Sequence, residues 1–200
     1  MDRSTRSEFL NTVGLVQGTV VLLAVLLSLV LGVAPWRSIS FAPIEIVLSV
    51  LGVLPMFLAF YVSGSLNDLV VRMFGRSLAT LTVLDLALVS IVIGIGEEVL
   101  FRGVLQSALG RESLMFGIVT ANALFAACHA VNKTYFVTAF FVGCYLSALM
   151  TAGDNDNLLR PIFAHSVYDF AAFLMIRREW RSRNTNASEE PTPEGETEPA

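Results

Sequence analysis

The sequence predicts an all-helical, polytopic bundle built into a membrane, with about six spanning helices. Three observations carry that prediction. Hydrophobic residues make up 54% of the 200-residue chain, charged residues only 15%, and the mean hydropathy is +0.68. The apolar residues fall in runs close to the length of a membrane crossing. The polar sequence between the runs is too scant to coat a soluble core of this size, so a soluble enzyme or a free nucleic-acid-binding domain is excluded.

Residues 12–34 form the first run, and about 20 apolar positions on a helix suffice to cross about 30 Å of hydrocarbon. The run is longer than the apolar region of a cleaved signal peptide, so it reads as a spanning helix. Further runs cover residues 42–63, 78–109, 114–131, 135–151 and 158–176. The third is too long for one perpendicular crossing, at about 48 Å if wholly helical, and must tilt, break or project beyond the bilayer. Pro35, Pro43, Pro55 and Pro161 mark span ends or kinks. These runs divide the chain into an N-terminal two-helix membrane region over residues 1–77, a helical bundle over 78–183 and a tail over 184–200.

Charge sets the orientation. Five of the 17 acidic residues lie in the tail, which holds no base, so the rest of the chain carries 12 acidic against 13 basic groups and offers no basic field for nucleic acid. Arg3, Arg6, Arg72, Arg76, Lys133, Arg177, Arg178, Arg181 and Arg183 fall on one side of the predicted spans. Only Arg37, Arg111 and Arg160 fall on the other. By the positive-inside rule both termini lie in the cytoplasm, in a plasma or inner membrane. The tail, rich in Pro, Glu and Thr, has no apolar period and is expected to be a disordered cytoplasmic extension. Cys128 and Cys144 sit in apolar stretches and read as small buried hydrophobes rather than a disulfide pair.

Ionisable side chains inside hydrocarbon are expensive, so each one in a predicted span is a candidate for function. On a helix Glu97 and Glu98 point about 100° apart. Arg102 follows Glu98 by four residues, the spacing at which a carboxylate and a guanidinium meet. Glu97 is then free to act as a general base, the alternative being that both acids pair with Arg102 simply to hold the bundle together. Phe125 and His129 share a face at the same spacing, with Asn122 a near-turn back. His165 and Asp169 share another, which lets the carboxyl orient the imidazole. Glu97 precedes Ser113 by 16 residues and His129 follows it by 16, so in an antiparallel helix pair the two share a level. His129 nevertheless nears one end of its span while His165 comes early in a helix starting from the opposite side. Asp85 lies about three and a third turns before Glu97, roughly 120° around the helix, and reads as structural.

Three of these stretches, in order, resemble a known family. GEEVLFRG carries EExxxR, LFAACH carries FxxxH, and RPIFAHSVYD carries a His followed four residues later by Asn or Asp. Across residues 94–173 the chain resembles the CPBP intramembrane proteases, a family of prenyl-protein CaaX endopeptidases and bacterial proteins linked to bacteriocin self-immunity. The resemblance implies a four-helix catalytic core around a polar cavity. It also implies that Glu97 activates the hydrolytic water with help from His129, that His165 and Asp169 stabilise the oxyanion or hold a metal, and that Glu98 and Arg102 brace the site, with Phe125 supporting it. The family has been described both as zinc metalloproteases and as metal-free glutamate-dependent proteases. The cofactor is therefore either zinc, held by His129, His165 and either Glu97 or Asp169, or none. HExxH is absent, which rules out the usual zincin helix. Where the family often has Asn, this chain has Asp169, which when ionised can orient His165 or bind a cation but cannot donate to an oxyanion.

The chemistry stands independently of the resemblance. Peptide hydrolysis needs an activated water, donors aimed at the developing oxyanion and a proton for the leaving amine, and a buried Glu, two imidazoles and an acid can supply all three. The sequence thus points to an intramembrane endopeptidase acting on a membrane-associated or lipidated, CaaX-like protein or peptide. Two rivals are a non-catalytic membrane scaffold or immunity protein that keeps the motif as a polar network, and a small proton-coupled transporter.

Overall fold

In a computed structural model the protein is a bundle of helices, with no strand among the described residues, which are 3–62, 64–153 and 155–189. Helix α1 spans Arg3–Leu31. A 3-10 turn at Pro35–Ser38 leads to α2 (Pro43–Leu51), α3 (Leu54–Val62) and α4 (Gly64–Thr80). Next come α5 (Val83–Glu98), a π-helical segment at Val99–Gln106 and the short α6 (Ser107–Leu109). Helices α7 (Leu114–Cys128), α8 (Lys133–Met150) and α9 (Leu159–Glu189) complete it. The stretches Thr5–Leu31, Lys133–Met150 and Leu159–Thr185 are long and apolar enough to cross a membrane, and the apolar stretches Pro43–Leu58 and Leu114–Cys128 are shorter. The chain is an all-α membrane protein. Helix α1 presents Leu15, Leu22, Leu26 and Leu29 outward, as a lipid-facing helix must.

Local chemistry explains where elements start. The over-long third run breaks after Thr80. Thr82 accepts the Asp85 amide at 3.1 Å while Asp85 accepts the Thr82 amide at 2.8 Å, a reciprocal cap that restarts the chain as α5. Beyond Glu98 the helix does not end but widens into the π segment and continues to Leu109. Ser113 caps α7, Asn132 caps α8, and Pro43 opens α2 with its ring-fixed φ. Helix α9 runs on through Glu189, so residues 184–189 of the predicted tail are helical. Residues 190–200 of that tail lie outside the described residues. Cys128, expected buried, is exposed at the last turn of α7, and Cys144 is half-buried; both are free thiols.

The bundle is pinned at both ends. At one end Arg6 clasps Asp85 with bonds of 2.9 and 2.6 Å, Arg177 reaches the Leu81 carbonyl and Arg181 the Ala79 carbonyl. There Arg183 also pairs with Asp68 on α4, and its guanidinium holds that carboxyl below the usual aspartate range. At the other end the buried Arg160 pairs with Glu45 and donates to the carbonyls of Met150 and Ala152. Asn157 ties Ser40 through both its amide and its carbonyl. Three apolar clusters fill the space between, around Phe101 and Phe125, around Leu78 and Leu86, and around Met56 and Leu146.

Helices α5 and α9 meet most closely at Gly94, where a Cβ would lie 3.0 Å from the Ser166 backbone nitrogen and 3.1 Å from its Cα. Gly94→Ala should therefore destabilise the bundle by about 1–3 kcal/mol, read as a lower unfolding temperature in detergent. Gly14→Ala, at a helical position with nothing within 4 Å, should leave that temperature unchanged or raise it.

Candidate active site

The last turn of α5 sends two consecutive carboxylates in different directions. Glu98 is completely buried, and its Oε1 accepts from Arg102 Nη1 at 2.9 Å and from His165 Nδ1 at 2.7 Å. Arg102, equally buried, spends Nη2 on Asn122 Oδ1 and on the Gly143 carbonyl, both at 3.0 Å, and its guanidinium lies 4.5 Å from the Phe125 ring centroid. One ion cluster thus joins α5 and its π extension to α7, α8 and α9. Gly143 is required by this convergence, since a Cβ there would stand 2.5 Å from Asn122 Oδ1. Asn122 also donates to Ser147, which donates to Gln106 at 2.6 Å, extending the polar layer across the bundle.

Glu97 turns the other way. Its Oε1 accepts from Gln17 Nε2 of α1 at 3.2 Å, while its buried Oε2 has no hydrogen-bond partner and faces His129 Nε2 at 3.8 Å. His129 Nδ1 lies 2.8 Å from the Phe125 carbonyl, which can only accept, so Nδ1 carries the proton. In the neutral ring Nε2 is then an acceptor. Two acceptors facing each other across a gap too long for a direct bond suit a donor of two protons, such as a water, that reaches both. His129 caps α7, a helix of 15 residues. At about 22 Å it is shorter than the hydrocarbon, and α9 presents His165 six residues from its own start.

His165 Nε2 stands 3.5 Å from Asp169 Oδ2, so this imidazole sits between two carboxylates and, when protonated, donates to Glu98 through Nδ1 and keeps its Nε2 proton without a close acceptor. His129, His165, Asp169 and Phe125 line a cavity of about 170 Å³ together with Met56, Val70, Val142, Phe173 and Ile176. Among the described residues no three His, Cys, Asp or Glu side chains converge as metal ligands. His165, a member of the zinc set the sequence suggests, has Nδ1 engaged by Glu98 and Nε2 turned to Asp169. That donor set does not fit Glu97, His129 and His165 as joint ligands.

Residues 79–171 match the family described as type II CAAX prenyl endopeptidase Rce1-like. Over this segment the chain is similar to the CAAX protease family. Comparison with curated proteins and with solved structures gave no match. The CAAX protease segment holds Glu97, Glu98, Arg102, Asn122, Phe125, His129, His165 and Asp169.

Several contacts escape a reading by motif. The His165 to Glu98 bond joins residues 67 apart, and nothing in the spacing of His165 and Asp169 announces it. Gln17 lies outside the CAAX protease segment, and its only signal is an amide within a lipid-length apolar run. Asp85, in contrast, faces Arg6 and its own helix start rather than the cavity.

Removing Arg102 leaves Glu98 as a buried carboxylate with only an imidazole beside it. Arg102→Met should lose about 3–5 kcal/mol of stability, measured as a large drop in unfolding temperature or in folded yield.

Proposed function

We propose that the protein is an intramembrane endopeptidase that cleaves a lipidated or otherwise membrane-held CaaX-like peptide with a water activated by Glu97 and His129. The observation that carries this reading is the facing pair Glu97 Oε2 and His129 Nε2, 3.8 Å apart and each lacking a donor, with His129 itself lining a largely apolar cavity. A water between them gives a proton to Glu97 as its oxygen bonds to the scissile carbonyl carbon. The carbonyl oxygen becomes an oxyanion, which protonated His165, held by Glu98 and oriented by Asp169, is placed to stabilise. The C–N bond then breaks as the proton on Glu97 passes to the leaving amine. Glu97 thus serves first as base and then as acid, so the step ends with the site as it began.

Support for a membrane-held substrate is the cavity itself. Its wall residues Met56, Val70, Val142, Phe173 and Ile176 offer hydrocarbon to hydrocarbon, beside the polar groups of His129, His165 and Asp169. Support for cytoplasmic termini is the clustering of Arg6, Arg177, Arg181 and Arg183 at one end of the bundle against Arg37, Arg111 and Arg160 at the other.

In proteoliposomes carrying an S-prenylated CaaX reporter peptide, Glu97→Gln should lower the cleavage rate by at least about a hundredfold, because the isostere keeps its hydrogen bonds and loses the base. His129→Ala should do the same, and undiminished cleavage by either variant contradicts the proposal. Preincubation with a strong zinc chelator should leave the wild-type rate unchanged. Loss of activity restored by added zinc would overturn the metal-free form.

A further inference from the structure

We infer that Gln17 of α1 is a positioning residue for the hydrolysis, fixing which oxygen of Glu97 faces the attacking water. The inference rests on the reading of Glu97 as the base and adds to it a group from outside the segment matched to the CAAX protease family. A carboxylate has two equivalent oxygens, and a base that must meet both a water and an imidazole gains from having one of them tied down. Gln17 Nε2 does this by donating to Glu97 Oε1 at 3.2 Å, which leaves Oε2 toward His129. The amide orientation follows from chemistry, because turning it over would set Gln17 Oε1 against a carboxylate oxygen, acceptor against acceptor.

Two features show that the contact is built rather than incidental. Gln17 is only 5% exposed, yet its neighbours Leu15 and Val16 are 74% and 52% exposed, so α1 is a lipid-facing helix that turns a single amide inward here. The helix also runs parallel to α5 and its continuation in one fixed register. Arg6 meets Asp85 across 79 positions, Gln17 meets Glu97 across 80, and the Leu31 carbonyl accepts from Arg111 across 80. Pinned at both ends in this register, α1 has no freedom to slide Gln17 off the level of Glu97. Gly96 completes the fit, since a Cβ there would stand 2.9 Å from Gln17 Oε1 and push the amide away.

The test uses the full chain in proteoliposomes with the S-prenylated CaaX reporter, measuring kcat and KM separately alongside the unfolding temperature. Gln17→Met keeps the length of the side chain and removes the donor. Its kcat should fall roughly tenfold to a hundredfold, the range for a lost hydrogen bond to a charged group, with KM within about twofold and the unfolding temperature unchanged. Gly96→Ala should lower kcat in the same way without touching a reacting group. Wild-type kcat in a folded Gln17→Met protein, or a loss of kcat that only tracks the loss of folded protein, overturns the inference. If Gln17→Met does not fold, Gly96→Ala decides, and wild-type kcat there overturns it. Failure of the underlying reading shows differently: Glu97→Gln would then retain cleavage whatever Gln17 does.

Discussion

A fully buried carboxylate at the centre of a membrane bundle is the constraint around which this protein is arranged. Glu98 has no access to water, and an uncompensated charge there would cost several kcal/mol. Its compensation comes from Arg102 on the following turn and from His165 on α9. Arg102 in turn needs acceptors, which Asn122 on α7 and the Gly143 carbonyl on α8 provide. Satisfying one charge therefore ties together α5, α7, α8 and α9. Apolar packing alone, with lipid as apolar as the core, would discriminate poorly among ways of placing these helices.

The neighbouring residue benefits from that rigidity. Because Glu98 takes Arg102 and His165, Glu97 is left with one weak donor and one empty oxygen, on a helix that cannot rotate. Adjacent carboxylates thus divide between holding the bundle and facing His129, and the 100° between consecutive helical positions is what separates them. The π segment that begins at Val99 belongs to the same arrangement, since wide turns of this kind recur where a helix must deliver side chains to a functional site.

Much of this was legible in the sequence wherever a local spacing carried the information. The four-residue step from Glu98 to Arg102 announces their pairing, and the equal distances of Glu97 and His129 from Ser113 announce that α5 and α7 bring them to one level. Long apolar runs give the membrane character, although they do not reveal that the run over 78–109 breaks at the Thr82 cap or that α4 is a separate helix. What stays hidden is set by contacts between distant segments. No pattern local to His165 indicates that Glu98 rather than Asp169 is its nearer carboxylate, and no motif marks Gln17, whose meaning depends on the parallel register of α1 along α5.

The most direct check on this account is an experimental structure in a lipid nanodisc at a resolution that shows ordered water. The account predicts Glu98 between Arg102 and His165, with a water in contact with both Glu97 Oε2 and His129 Nε2. Density that places His129 toward the acyl chains, or that separates Glu98 from His165, would contradict it.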